Sequence, residues 1–276
     1  MSGAPGHWLA RGMTILVLGA TGKTGRHVAA ALGTAARPVS RSTAIRFDWS
    51  DKSTWDTALA GATALYLVPP AKDLDTALVE EFLTRAVAAG VRRVVHLSAH
   101  GVGAARRRED VVRASGVDWT ILRPRWFNQN FTEDFLLPMV LAGEVALPVG
   151  PGAHPFIDAR DIADVAVAAL TGDGHAGRVY ELSGAEAISF PDAVAMVAEA
   201  VGREIRLVDV PGSAVAAALL ADGFSPEYAD DLGEALVAIR DGRDAEPATG
   251  VRDALGRAPR RFADYVKESA ASGVWG

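Results

Sequence analysis

The stretch LVLGATGKTG, residues 16–25, decides how the rest of the chain is read. Gly22-Lys23-Thr24 has the ending of a triphosphate-binding loop, whereas glycines at 19, 22 and 25 have the spacing of a turn that holds a dinucleotide. A triphosphate loop runs G-x-x-x-x-G-K-[ST], because it must be long enough to wrap a phosphate in backbone N–H groups. Counted back from Gly22, its first glycine would fall on Val17, inside the apolar run 13–20. That loop is too short. In the spacing G-x-x-G-x-x-G, Gly19 permits the tight turn, Gly22 lets backbone approach a pyrophosphate, and Gly25 lets the next helix pack close. With a strand before and a helix after, Gly19, Thr21, Gly22, Lys23, Thr24 and Gly25 are the expected cofactor cradle.

The cradle heads an alternation of elements. Largely apolar runs at 13–20, 62–68, 92–98 and 118–124 read as strands covered on both faces, with RPVSRS (37–42) and IRFD (45–48) as two more. Residues 22–32, 55–59, 75–89 (with Gly90 as C-cap) and 109–114 read as the intervening helices. Strand and helix in turn predict an α/β fold, a Rossmann-type doubly wound parallel sheet. Further on, PFIDARDIADVAVAALTG (155–172) predicts a helix capped by Asp161, and RVYELSG (178–184) a strand. Ser189-Phe190-Pro191 and Ser225-Pro226-Glu227 read as helix starts, the second helix reaching about Arg240. The expected organisation is a flexible extension over 1–12, a nucleotide-binding unit from 13–132 with 155–185, and a smaller, interleaved C-terminal substrate lobe from 133–154 with 186–276.

The bulk numbers set limits. The 276 residues are 49% hydrophobic with a net charge of −6. A large core is available, and a general nucleic-acid binder, which needs a basic face, is disfavoured. Cysteine is absent, which excludes disulfides and thiolate catalysis and agrees with a cytoplasmic protein. The run 13–20 is too short to span a bilayer and enters a glycine turn rather than a cleavage site, so no membrane partner is expected. A homodimer is compatible with the chain.

Cofactor choice is read about twenty residues past the turn, where a carboxylate would hold the ribose 2′-hydroxyl of NAD. Here the sequence is Ser40-Arg41-Ser42. A guanidinium at Arg41 pairs with a 2′-phosphate in forked geometry, with Lys23 in support, so NADP(H) is expected over NAD(H).

Several stretches taken in order, ILVLGATGKTGRHVAAAL, FDWSD, YLVPP, RRVVHLSAHG, SGVDWTILRPRWFNQNF, PFIDARDIADVA and GRAPRRFADY, resemble the NmrA-like group of atypical short-chain dehydrogenases/reductases. Within it the pattern is most similar to the ergot-alkaloid (agroclavine) dehydrogenase-like branch. The resemblance runs from Met13 to about Tyr265. It implies a Rossmann fold with a substrate cleft beside the nicotinamide, Asp48 near the adenine, Val68 and Pro69 along the cofactor, and Ser98 near the nicotinamide. An ordinary reductase of the wider family follows its serine with a Tyr and, four residues later, a Lys, which supply and tune a proton. Aligned back from EDVVRASGVDWT, those positions fall on Gly101 and Ala105.

That missing pair narrows the chemistry. Hydride added to a ketone builds an alkoxide and needs a proton or oxyanion donors. Hydride added to an iminium removes a positive charge, and a quinone or enone spreads the new charge. The expected substrate is therefore an imine, iminium, quinone or enone of an aromatic or alkaloid-like small molecule, in secondary metabolism. Two alternatives remain open: a non-reductive step such as aromatic coupling, and a redox sensor that binds NADP(H) without turnover.

Ser98 is a candidate hydrogen-bond donor, and His100, at the same strand end, a candidate proton or substrate contact. Trp126, Phe127 and Phe131 are candidate walls for a flat substrate, and Asn128 and Asn130 candidate polar guides, with Trp126 and Asn130 foremost. His96 reads as a satisfied strand histidine; His96 and His100 lack a third ligand, so no metal is expected. Arg106-Arg107-Arg108 reads as a solvated helix entrance, and Asp158 and Asp161 as cap and turn residues.

Overall fold

The computed structural model describes residues 13–70 and 76–276. The expected extension 1–12 and the expected helix start at Asp75 lie outside the described residues. The strands are β1 (Ile15–Leu18), β2 (Ala36–Val39), β3 (Ala64–Leu67), β4 (Arg93–Leu97), β5 (Asp118–Pro124), β6 (Glu144–Leu147), β7 (Ala153–His154), β8 (Arg178–Leu182), β9 (Ile188–Ser189) and β10 (Arg206–Asp209). The first helices are α1 (Gly25–Leu32), α2 (Trp55–Leu59), α3 (Thr76–Ala88), α4 (Gly103–Ala114), α5 (Leu136–Ala142) and α6 (Ala159–Thr171). They are followed by α7 (Phe190–Val201), α8 (Gly212–Ala221), α9 (Pro226–Arg240), α10 (Gly250–Leu255) and α11 (Phe262–Ala271).

Six parallel strands form the main sheet in the order β2-β1-β3-β4-β5-β8. The chain leaves β1 in one direction to β2 and returns on its other side to β3. The crevice outside the C-terminal ends of β1 and β3 is thus the switch point where α/β sheets take their ligands. Side chains alternate along each strand and supply two cores. Ile15, Val17 and Tyr66 join the core under α1 and α6, whereas Leu16, Leu18, Leu65 and Leu67 join Trp55, Phe82 and Val112 on the opposite face. A third core, around Phe131, Phe156, Phe190 and Trp275, fills the C-terminal lobe, where β6 pairs with β10. Among the described residues no helix is long and apolar enough to cross a membrane.

Several expected elements shift, each for a physical reason. IRFD makes two isolated bridges, Arg46 to Ser40 and Asp48 to Asp51, and no strand, because Phe47 turns into an aromatic cluster with Trp49 and Phe82 while Asp48 folds back onto the Ser50 amide. Helix α1 begins at Gly25 rather than Gly22, whose amide closes the preceding turn. Helix α4 begins at Gly103 rather than Glu109, since Asp231 of α9 caps it from a distance by accepting from the Ala104 amide at 2.8 Å. The cap of α6 is Asp158, which accepts from the Arg160 amide. Asp161 lies in the first turn, fully buried, and pairs with Arg257 and Arg260. Ser189 and Ser225 cap α7 and α9 as expected, each with proline in the first turn.

Candidate active site

The chain leaves β1 through Gly19, whose φ of +62° is a left-handed conformation open to glycine at little cost. The Gly22 amide closes the turn on the Gly19 carbonyl at 2.8 Å. A Cβ at Gly25 would stand 2.2 Å from the same carbonyl oxygen, and one at Gly22 would stand 3.2 Å from it. The glycines therefore hold the start of α1 hard against the turn. Thr24, at the N-cap, makes no capping bond, and its hydroxyl accepts from Tyr66 at 2.9 Å instead. The amides of Thr21, Lys23 and Thr24 find no backbone acceptor among the described residues. Free amides at a helix start, with room for backbone to come close, fit a pyrophosphate.

The crevice floor continues through Val68, whose Cγ1 would lie 3.6 Å from a Cβ on Gly19, and the half-buried Pro69. The Val68 carbonyl accepts from the Trp49 indole at 3.1 Å. Arg41 is exposed at the rim and makes no ion pair among the described residues. Asp48 is committed to its own turn, with hydrogen bonds from Ser50 and then the Arg46 and Arg41 charges holding its carboxyl below the usual range. Lys23 departs from expectation. Its ammonium reaches Asn130 Oδ1 at 2.7 Å and Asp134 Oδ2 at 2.9 Å, away from the Ser40–Ser42 turn where a 2′-phosphate would need it. Asp134 has a φ of +65°, a strained geometry for a residue with a Cβ. The lysine thus ties the cradle to the loop after β5.

That loop carries the aromatic wall. Trp126 is half-buried and meets Phe135 and Phe190 edge-on, with ring centroids 6.1 and 5.6 Å apart. Phe131 is fully buried core, and the side-chain amide of Asn128 is buried without a hydrogen-bond partner among the described residues. Asn130 is the residue Lys23 holds, so its carbonyl oxygen already has a donor.

Ser98 also differs from its expected role. Its hydroxyl donates to Glu109 Oε1 at 2.6 Å. Glu109 is fully buried on α4 and receives Arg123 Nε at 2.8 Å and Arg113 at 3.0 Å. Arg123 also meets Glu181 at 2.8 Å, its register partner across β5 and β8. With its proton spent, Ser98 can only accept from a ligand. His100 stands at the other end of the network, Nδ1 2.9 Å from Glu181 and Nε2 2.9 Å from Asp244.

Gly101, where the missing tyrosine would fall, has φ +73° and faces Ala235 of α9, and Ala105 is buried in α4. Neither supplies a proton. His96 is buried in β4 beside the Leu67 backbone, with no well-aligned hydrogen bond at either ring nitrogen among the described residues; burial, then the Arg108 charge, lowers its pKa to about 3. Arg108 is not solvated: it is 6% exposed and donates to the Pro70 carbonyl at 3.0 Å, whereas Arg107 pairs at the surface with Glu227.

The family described as NAD(P)H-binding matches residues 33–173. The (4-alkanoyl-5-oxo-2,5-dihydrofuran-3-yl)methyl phosphate reductase of Streptomyces griseus subsp. griseus is 36% identical, over 93% of this chain and 98% of its own. The agroclavine dehydrogenase of Claviceps fusiformis is 32% identical, over 95% and 99%. The chain belongs to the NAD(P)H-binding, NmrA-like group of atypical short-chain dehydrogenases/reductases. An NADPH-dependent quinone oxidoreductase of Escherichia coli, solved with NADPH, shares the fold at a TM-score of 0.75 and 23% identity, over 92% of this chain and 99% of its own.

In this NmrA-like chain the sequence reading missed Glu109, Arg123, Glu181, Arg125, His154, Asp244 and Tyr228. Tyr228 of α9 lies within electrostatic reach of Asp134 and Arg108, its pKa raised by burial and then by Asp134. Arg123 and Glu181 did leave a signal: opposite charges inside ILRP and VYEL, two otherwise apolar strands. Asp244, more than 80 residues from its partners, left none.

Proposed function

We propose that this NmrA-like chain is an NADP(H)-dependent reductase of small aromatic or alkaloid-like molecules, acting on an imine, iminium, quinone or conjugated enone in natural-product metabolism. The observation that carries this reading is the Ser98 hydroxyl, whose proton goes to Glu109. The strand-end group that would assist a plain carbonyl is committed elsewhere, and Gly101 and Ala105 put nothing in its place.

Bound in the cradle, a reduced nicotinamide supplies the hydride. The chain's own residues do the rest. The turn amides hold the pyrophosphate, and Arg41 is free to grip a 2′-phosphate. Trp126 and Phe135 give a flat acceptor an apolar face, while Lys23 fixes Asn130 beside it. Helix α9, latched through Asp231 to α4, covers the strand ends and keeps water from the reacting carbon. An iminium loses its charge on reduction and a quinone or enone delocalises the new one, so neither needs an acid at that carbon. One relative is named as the reductase of an alkanoyl dihydrofuranone, itself a conjugated enone, which supports that arm.

The test follows reduced-cofactor absorbance with a quinone, a cyclic iminium and cyclohexanone. Turnover on the first two is expected at a kcat/KM at least about 100-fold above the ketone, the worth of a missing oxyanion donor. A ketone reduced fastest would overturn the reading.

A further inference from the structure

Beneath α9 a cavity of about 200 Å³ opens between His100, Arg125, Trp126, His154 and the loop after α9. Its polar centre is the carboxylate of Asp244. Oδ1 lies 2.9 Å from His100 Nε2 and touches the Arg125 guanidinium, and Oδ2 lies 3.0 Å from His154 Nδ1. His154 Nε2 accepts the Trp126 amide at 3.1 Å, so the proton of the neutral ring sits on Nδ1, facing Asp244. His154 is 1% exposed, and that Nδ1 is too poorly aligned with Asp244 for a hydrogen bond. Arg125 Nε is likewise buried and, among the described residues, without a partner.

Two imidazoles and a guanidinium therefore converge on one carboxylate. They come from the strand ends: His100 follows β4, Arg125 follows β5, and His154 closes β7. Asp244 comes from a surface loop between α9 and α10. Arg243 adds a second guanidinium to the lining and Glu234 a carboxylate, while Glu181 stands behind His100. Among the described residues no group of three ligands could hold a metal ion, and the guanidinium against Asp244 gives the cluster the counter-charge of an anion site.

We infer that His100, Arg125 and His154 form an oxyanion subsite for a carboxylate or phosphate group of the substrate, and that the Asp244 carboxylate is the internal group this ligand displaces. The guanidinium fork suits either oxyanion. Trp126 borders both this subsite and the aromatic wall, so an anion held here would hang the rest of the substrate over the ends of β4 and β5. In that respect the inference rests on the reductase reading and adds an anionic handle to its substrate.

A tethered carboxylate competes at a millimolar-range effective concentration, so removing it should tighten binding of a free oxyanion. Phenyl phosphate and benzoate are titrated calorimetrically into the full chain, without cofactor, as wild type, Asp244→Asn, Asp244→Ala and Asp244→Ala/Arg125→Gln. Both Asp244 variants are expected to bind at least one anion about tenfold more tightly than wild type, and the double variant to lose that gain. The anion that gains more identifies the group. An anion seated at the glycine turn responds to none of these changes. No gain in Asp244→Asn, which keeps the side-chain shape should Asp244→Ala unfold, overturns the assignment; so does a gain that survives Arg125→Gln. Because cofactor is left out, failure here leaves the hydride reading standing, whereas failure to bind NADPH would count against that reading alone.

Discussion

A methyl group on Gly25 is the smallest perturbation that reaches the cradle. Its carbon would lie 2.2 Å from the Gly19 carbonyl oxygen, 2.7 Å from the carbonyl carbon and 3.1 Å from Ala20 Cα, where ordinary contact begins at 3.4 Å. All three atoms are backbone, so relief requires α1 to retreat by roughly 1 Å. Val28 and Leu32 anchor that helix in the core, and repacking them costs about 1–3 kcal/mol without loss of the fold. The same retreat opens the gap between the turn amides and a pyrophosphate. Two charge-assisted bonds at about 1.5–3 kcal/mol each are weakened, for a loss of about 3 kcal/mol, or about 100-fold in affinity. A Cβ on Gly22 meets the oxygen at 3.2 Å, a few tenths short of ordinary contact, so Gly22→Ala should lose less than about tenfold. Gly212→Ala on α8, with nothing within 4 Å, is the control and should change neither quantity. NADPH fluorescence titration beside thermal denaturation reads both effects. Wild-type NADPH affinity in Gly25→Ala, or equal losses at 25 and 22, would refute the reasoning.

Arg41→Ala should weaken NADPH by about tenfold or more while leaving NADH unchanged, since only the 2′-phosphate pairs with the guanidinium; equal losses for both cofactors contradict this. Ser98→Ala leaves Glu109 one donor short, so stability should fall by about 1–2 kcal/mol with kcat on a quinone nearly unchanged. A collapsed kcat at unchanged stability would restore a catalytic Ser98. Burial holds His96 and His154 neutral, with pKa values of about 3 against an ordinary 6.5. As pH falls below the ordinary value, the unfolded chain takes up two protons that the folded chain refuses. Stability is therefore complete above about pH 6.5 and is lost toward about 3, at up to about 2.7 kcal/mol per pH unit. Urea denaturation between about pH 7 and 5 measures that slope with the carboxylates still charged, and a flat profile contradicts it.

What the sequence disclosed follows the range of the forces involved. Strand β5 occupies the residues read as a strand, and Ser189 and Ser225 cap where they were expected, because each signal lies within a few residues. The glycine turn is equally local. The start of α4 was hidden because its cap, Asp231, arrives from α9, and DARD offers two aspartates of which the first caps and the second is buried against arginines. Lys23 and Arg108 read as solvated or cofactor-facing because charge normally is. Their partners, Asn130 with Asp134 and the Pro70 carbonyl, come from other turns of the sheet. Sequence placed Ser98 and His100 just past a strand, where they follow β4, but could not show that Glu109 takes the serine proton or that Asp244 faces the histidine. Those facts depend on how α4 and the loop after α9 dock, which no short pattern records.

Hydride transfer is followed most directly with NADPH deuterated at the reacting nicotinamide carbon and a cyclic iminium acceptor, the product analysed by mass spectrometry. Deuterium on the former iminium carbon, one equivalent per cofactor consumed, is the predicted result. Cofactor that binds but is never consumed, or product formed without the label, would contradict a reductase built on this glycine turn.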